Sequence, residues 1–430
     1  MTAVLGIGLP SDWSATPLKH VTKVLNRGSA PDYVDLGAVR VISQASNQSG
    51  GLDWERTRFH DFQGTPSTLK GYLHPDDVLI NSTGTGTLGR IGYFTGSPDG
   101  LPCMADSHVT IARTDRNELD PRFAYFWLAS RPFQEYVYAA LVVGATNQIE
   151  LNRDRLGDAL VPLPPVSEQR RIADFLDTET SRIDNLTAKR RRMRELLSLK
   201  RERVIESMLG LERGNSSHSL VPLKYMVEAV SVGIVITPAK WYVDSGGTPA
   251  LRGVNVTPGG INPVDLVQIS AEGHAEHAKS RLQAGDVVVV RTGQAGAASV
   301  VPPELDGANC VDLIIVRPGR RIAPKYLEYV LNSEYARARV SEHSVGSIQA
   351  HFNVGAMKQI PIPSLPKRDQ EETVAQLDQT VGKISHLRDK FAKQEQLLAE
   401  RRQALITAAV TGQFDVSTAS GRNVTEGVSV

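Results

Sequence analysis

The stretch VPLPPVSEQRRIADFLD, residues Val161 to Asp177, returns as IPSLPKRDQEETVAQLD, residues Ile362 to Asp378. The match extends over Val161–Ile205 and Ile362–Ile406 without a gap, at an offset of 201 residues. Pro162 falls on Pro363, Pro165 on Pro366, Glu168 on Asp369 and Gln169 on Gln370. Leu176, Ile183, Leu186, Leu196 and Leu197 meet Leu377, Ile384, Leu387, Leu397 and Leu398. A unit of this size repeated once implies a task performed twice.

Around this stretch, the prolines close whatever precedes them and a long helix follows. Leu176, Ile183, Leu197 and Val204 lie on one seven-residue ladder that Arg190 interrupts. Leu377, Ile384, Phe391, Leu398 and Leu405 form the matching ladder unbroken. This period predicts a narrow apolar seam along each helix of about 40 residues, roughly 60 Å long. One helix cannot bury its own seam. The economical partner is the other copy, parallel or antiparallel; a helix of another protein is the competing choice.

The blocks ahead of the helices repeat more loosely. Pro17-Leu18-Lys19 answers Pro222-Leu223-Lys224, and Asp77–Ile80 answers Asp286–Val289. Thr83-Gly84 answers Thr292-Gly293, so the offset drifts and loops of unequal length hang on a common scaffold. Strand-like runs at Val78–Ile80, Ile91–Phe94, Val287–Val290 and Leu313–Val316 are bounded by Gly and Pro. Helices are predicted at Phe123–Val137 and Tyr326–Val340. The expectation is an α+β chain in which each small domain has a curved, mainly antiparallel sheet. The predicted boundaries are 1–164 and 213–365 for the blocks, 165–212 and 366–416 for the helices, and a disordered tail over 417–430.

Bulk properties narrow the classes. Apolar residues make up 41% and charged residues 22% of the 430, an ordinary globular balance. Net charge is +1, so an anionic partner must be met by locally concentrated charge. The two cysteines, Cys103 and Cys310, fall near matching places and are too few for a disulfide framework or zinc cluster, which points to a reducing cytoplasm. The N-terminus lacks a basic start and an apolar run, and no membrane span is expected.

Catalytic motifs are absent. Gly84-Thr-Gly86-Thr-Leu-Gly89 fits a phosphate-cradling pattern, but Ile91–Phe94 continues as strand where a helix is required, so a glycine-rich hairpin is the better reading. His274 and His277 lie three apart in what reads as a short polar loop, without the spacing of a helical zinc pair, and no metal is expected. No nucleotide-binding P-loop, nucleophile elbow or carboxylate–x–lysine tripeptide occurs, and the expectation is a protein that binds and does not catalyse. One charge feature stands apart: Lys189, Arg190, Arg191, Arg192, Arg194, Lys200, Arg201 and Arg203 crowd the first helix. It reads either as a solvated face or as a surface for phosphate or an acidic partner.

The order block, proline stop, Glu-Gln, long helix, then all of it again resembles the specificity subunits of type I restriction–modification systems. Pro162-x-Pro164-Pro165-x-x-Glu168-Gln169 carries the resemblance, with Pro363-x-x-Pro366-x-x-Asp369-Gln370 as its degenerate copy. The resemblance implies two α/β target-recognition domains, each reading one half of a split double-stranded DNA target. It implies that the two helices pair as a coiled coil, set the half-site spacing and dock modification (methyltransferase) subunits, two in number. On those subunits S-adenosylmethionine is expected, and ATP with Mg on restriction subunits where these exist; no cofactor is expected in this chain.

Candidate spacer and docking residues are Glu168, Gln169, Leu176, Ile183, Leu197, Asp369, Gln370, Leu377, Ile384, Phe391, Leu398 and Leu405. Candidate DNA-contacting residues are Arg90, Asn147 and Gln148 in the first block and Arg291, Gln294, Ser347 and Gln349 in the second, with Arg190, Arg191 and Arg194 on the helix. The rival class is a coiled-coil scaffold with two protein- or sugar-binding domains.

Overall fold

A computed structural model describes residues 2–48, 50–144, 149–212, 218–342 and 352–418. The chain divides into two compact units, residues 1–190 with 393–430 and residues 191–392. Each unit contains one block, the beginning of the helix that follows it and the end of the other long helix. The helices span Val166–Met208 and Lys367–Val410, 43 and 44 residues.

The first block holds two four-stranded sheets, where the sequence predicted one. The antiparallel sheet runs in the order Ile91–Phe94, Asp77–Asn81, Val109–Thr114, Thr22–Arg27. The mixed sheet runs Cys103–Ala105, Val39–Ile42, Arg58–His60, Tyr33–Val34, its first pair parallel. The second block repeats both orders. Ala298–Val300, Val287–Val290, Leu313–Arg317 and Ala229–Val232 form the antiparallel sheet. Asn309–Cys310, Thr248–Leu251, Val267–Ile269 and Tyr242–Val243 form the mixed one, again with one parallel pair. The mixed sheets escaped the sequence because their strands are short and interrupted by polar residues.

Matched residues hold matched places. Arg113 grips Asp77 with two bonds of 2.7 Å, and Arg317 grips Asp286 with bonds of 3.0 and 2.8 Å. Cys103 and Cys310 lie buried in equivalent strands as free thiols. Burial pushes the Cys103 thiol up to about 11, and Cys310 further in the same direction.

The helices predicted at Phe123–Val137 and Tyr326–Val340 are each broken. Pro121–Ala129 is followed by Arg131–Tyr136, and Pro324–Asn332 by Glu334–Glu342. At each joint a buried serine, Ser130 or Ser333, is extended, and its hydroxyl donates to the carbonyl of Trp127 or Val330 at 2.6 Å. A serine that satisfies backbone locally competes with helix continuation. The His274 segment also differs from the expected loop: Ala271–Glu276 is a short helix capped by Ser270, whose hydroxyl accepts from Gly273 N–H. The glycine-rich turn is a hairpin between Asp77–Asn81 and Ile91–Phe94, with Gly84, Gly86 and Gly89 all at positive φ. Val416–Thr418 forms a 3-10 turn, and residues 419–430 of the predicted tail lie outside the described residues.

In the first unit Phe175 packs on Phe414 with ring centroids 5.6 Å apart, and Asp184 meets Arg402 at 3.0 Å. Numbers rise on one helix as they fall on the other, so these segments run antiparallel. Leu176, Ile183, Leu405 and Ala409 join that unit's core, while Leu377 and Val381 join Ile205 and Leu209 in the core of the second unit. Ile384 is buried; Leu197, Phe391 and Leu398 are half-buried. The seam is wider than the predicted ladder. Thr180, Thr187, Arg194 and Arg201, and Val381, Arg388, Glu395 and Arg402, are also buried or half-buried. Thr180 and Thr187 donate to the carbonyls of Leu176 and Ile183, which lets a hydroxyl stand in an otherwise apolar stripe. No helix among the described residues is long and apolar enough to cross a membrane.

Candidate nucleic-acid interface

The proline stop and the Glu-Gln pair position everything else. The carbonyl of Pro165 accepts the N–H groups of Glu168 and Gln169 at 2.8 and 3.0 Å, opening the helix. Pro366 does the same for Asp369 and Gln370 at 3.0 and 3.1 Å. The Gln169 side chain is fully buried and bonded at both ends. Its Oε1 accepts from Asp120 N–H at 2.7 Å, and its Nε2 donates to the carbonyls of Glu118 and Pro164 at 2.9 and 2.8 Å. Gln370 repeats this with Ala323, Arg321 and Leu365 at 2.8, 3.0 and 2.9 Å. Of the spacer and docking candidates, these two glutamines therefore fix the helix to its block from inside, where no partner can reach them. Glu168 is half-buried and Asp369 exposed.

The strands of each antiparallel sheet lead to an end where loops from distant parts of the block converge. In the first block Thr83 follows the strand Asp77–Asn81. Its hydroxyl lies 2.8 Å from His108 Nδ1 and 3.1 Å from Gln44 Oε1. Thr83 has one proton for these two acceptor positions. When it donates to Gln44, it accepts from His108 Nδ1–H, and the His108 Nε2 is left as an acceptor. His108 is exposed, and its backbone N–H donates to the buried Asp106 carboxylate at 2.8 Å. Burial raises the Asp106 pKa. Beside them Arg27 pairs with Glu150 at 3.1 Å and donates to the Leu151 carbonyl at 3.0 Å.

The second block carries a different set on the same frame. Arg291 pairs with Asp312 at 2.6 Å and donates to the Phe352 carbonyl at 3.2 Å, and Thr292 donates to Asp312 at 3.4 Å.

The DNA-contact candidates divide accordingly. Arg90 spans the base of the glycine hairpin, donating to the carbonyls of Asn47 and Gly86 and to Gln48 Oε1, the last at 2.8 Å. Arg291 is engaged as described. Both guanidinium groups thus brace loops. Gln294 is exposed at its hairpin. Asn147, Gln148, Ser347 and Gln349 lie outside the described residues; Glu150 and Phe352, which follow those stretches, are held at the sheet ends. On the first long helix Arg191 is exposed, and Arg190 and Arg194 are half-buried. Sequence reasoning missed Gln44 and His108, which reach Thr83 from loops with no repeated signal; only Thr83, through its match to Thr292, was visible beforehand.

Known proteins share this architecture. Residues 10–192 match the family model of the type I restriction modification DNA specificity domain. The specificity subunit of the type I restriction enzyme EcoBI from Escherichia coli is 21% identical over 415 residues, covering 86% of this chain and 82% of that one. The StySPI specificity subunit from Salmonella potsdam is 28% identical over 182 residues, 40% of this chain and 37% of its own. A chain from a study of complex assembly and conformational transition of the type I R-M system superimposes with a TM-score of 0.75 at 19% identity, covering 95% of this chain and 100% of that one. The HsdS subunit from Thermoanaerobacter tengcongensis gives 0.53 at 19% identity, covering 94% and 98%. At these identities the solved structures establish the shared fold.

Proposed function

Because the chain belongs to the specificity subunits of type I restriction–modification systems, we propose that its two blocks read the two halves of a bipartite DNA target. One observation carries this reading: the blocks share strand order, buried frame and the matched threonines Thr83 and Thr292, while the polar groups around those threonines differ, Gln44 and His108 in one block and Arg291 and Asp312 in the other. A common frame with unlike side chains is what two readers of unlike sequences need, since base edges are distinguished by donor and acceptor pattern.

In this reading the long helices set the gap between half-sites. At 1.5 Å per residue each is about 65 Å long, somewhat under two turns of B-DNA. Their outer faces dock methyltransferase subunits, which bring S-adenosylmethionine, and the chain itself does no chemistry. Restriction subunits with ATP and Mg complete the assembly where the system has them. Two buried free thiols accord with work in a reducing cytoplasm.

The test is co-expression with the modification subunit followed by mapping of methylated bases. A split motif with a fixed gap is expected. A contiguous motif, or no new methylation, overturns the reading. Inserting four residues, about one helical turn, near Thr187 is expected to lengthen the gap and leave both half-sites intact.

A further inference from the structure

The strand registers equate residues that the sequence leaves unmatched. Asn81 lies opposite Val109 in the first antiparallel sheet, and Val290 lies opposite Leu313 in the second. The residues one place before Val109 and Leu313 therefore correspond, and these are His108 and Asp312. Each reaches the matched threonine: Thr83 lies 2.8 Å from His108 Nδ1, and Thr292 donates to Asp312 at 3.4 Å. One place beside one threonine thus carries an imidazole in one block and a carboxylate in the other. A loop of unequal length hides this pair in the sequence, since five residues separate Cys103 from Val109 but two separate Cys310 from Leu313. The shorter connection holds Asp312 at a φ of 51°, a left-handed backbone that Asp and Asn adopt more readily than other residues with a side chain.

The same strand leads to the helix joint at its other end. Val109–Thr114 runs on to Asp120, which meets Gln169, and Leu313–Arg317 runs on to Arg321 and Ala323, which meet Gln370. His108 and Asp312 stand at the opposite end of each strand, roughly 17–20 Å away along it. Both backbones are tied down: the His108 N–H donates to Asp106 at 2.8 Å, and the Asp312 N–H to the Ile234 carbonyl at 3.0 Å. Both side chains stay open to solvent, His108 exposed and Asp312 at 38%. Hydrogen bonding gives them the same polarity. Gln44 Oε1 can only accept, so Thr83 donates to it, and His108 gives Nδ1–H to Thr83 and keeps a bare Nε2. Asp312 accepts from Arg291 and Thr292 and has lone pairs to spare.

We propose that this one position specifies one base pair in each half-site, through His108 in the first block and Asp312 in the second. Each side chain accepts a hydrogen bond from the exocyclic amino group of adenine or cytosine in the major groove. This rests on the reading that the two blocks read DNA, and it adds the residues and the chemistry. Guanine and thymine present a carbonyl oxygen at that place, where it would face a second acceptor. An acceptor set against an acceptor leaves both without a hydrogen bond, which discriminates by about tenfold.

The experiment co-expresses the full chain with the modification subunit of the same system and maps methylated bases for the unaltered chain and three variants. His108→Ala is expected to relax one position of one half-site by about tenfold, with the other half-site and the gap unchanged. His108→Arg, which can only donate, is expected to move the preference at that position to guanine. Asp312→Asn keeps an oxygen for Arg291 and suits the left-handed backbone, but it adds an N–H donor. It is expected to admit guanine or thymine at one position of the other half-site. Because His108 is exposed, its variants are expected to keep the Tm of the unaltered chain. An unchanged motif in both His108 variants overturns the inference and leaves the two-block reading intact. So does an equal loss of methylation at every site, as a phosphate contact would give, or relaxation of both half-sites by one substitution. A contiguous motif, or none, from the unaltered chain overturns the reading of DNA by the two blocks, and the inference with it.

Discussion

Gln169 accepts the backbone N–H of Asp120 at 2.7 Å across 49 residues of sequence, and this bond joins the long helix to the block it follows. Asp120 in turn caps the helix Pro121–Ala129, its carboxylate accepting from the N–H groups of Arg122 and Phe123 at 3.0 and 3.2 Å. The direction of the long helix is therefore fixed at the start of the helix that packs on the antiparallel sheet. Under the proposed reading, in which the helices set the gap between half-sites, such a joint is what the spacer needs.

Gln169→Ala leaves the Asp120 N–H and the carbonyls of Glu118 and Pro164 without these partners in a buried site. The expected loss is about 3 kcal/mol, and Gln370→Ala should cost the second unit a similar amount. Denaturant unfolding measures both. Gln169→Glu should be worse, because a carboxylate would face two carbonyl oxygens; a neutral effect of either alanine variant would show that the joint is not needed.

Gly28 and Gly233 are matched close approaches. A Cβ on Gly28 would lie 1.9 Å from the Ala105 carbonyl oxygen, and one on Gly233 would lie 2.5 Å from that of Cys310. Backbone cannot yield as a flexible side chain does. Gly28→Ala and Gly233→Ala are each expected to destabilise by about 3 kcal/mol, seen as a lowered Tm.

The buried thiols predict an alkaline weakness. Their folded pKa values are raised above the unfolded value, so the native state holds its protons where the unfolded chain releases them. Their contribution is fully present below the unfolded thiol pKa of about 8.5 and declines as pH rises through the folded value, about 11 for Cys103. Unfolding free energy followed from about pH 8 upward should fall less steeply in the Cys103→Ala, Cys310→Ala variant. Thiol reagents should label the native protein only at the rate of unfolding.

Gln44 supplies a test of the proposed DNA-contacting end of the first block. With its Oε1 held by Thr83, its amide N–H groups have a fixed direction. Gln44→Ala is expected to relax one half-site by roughly tenfold in selectivity, about 1–3 kcal/mol per lost base contact. Sequencing of methylated sites should show the other half-site and the gap unchanged; an altered gap would assign Gln44 to the spacer.

Much of this molecule was legible in its residues. The proline stops, the Glu-Gln pair and the ladder from Leu176 to Leu405 announced both helices and their duplication, because backbone termination and heptad burial depend on local order. The width of the seam was not legible. Thr180 and Arg402 look solvated in sequence, yet one returns its hydroxyl to Leu176 and the other meets Asp184. The glutamines illustrate the same limit: their repetition was plain, but their role inside the joint required seeing the loops before Pro121 and Pro324 close over them.

Local order along the chain thus dictated that one frame is built twice, and where each long helix begins. Packing between distant segments decided that each unit takes the start of one long helix and the end of the other. It also brought Gln44, Thr83 and His108 to one sheet end, and left Leu196 and Leu397 facing outward. The physical reason is that periodicity and caps act within a few residues, whereas burial and hydrogen bonding between loops depend on how distant segments close on one another.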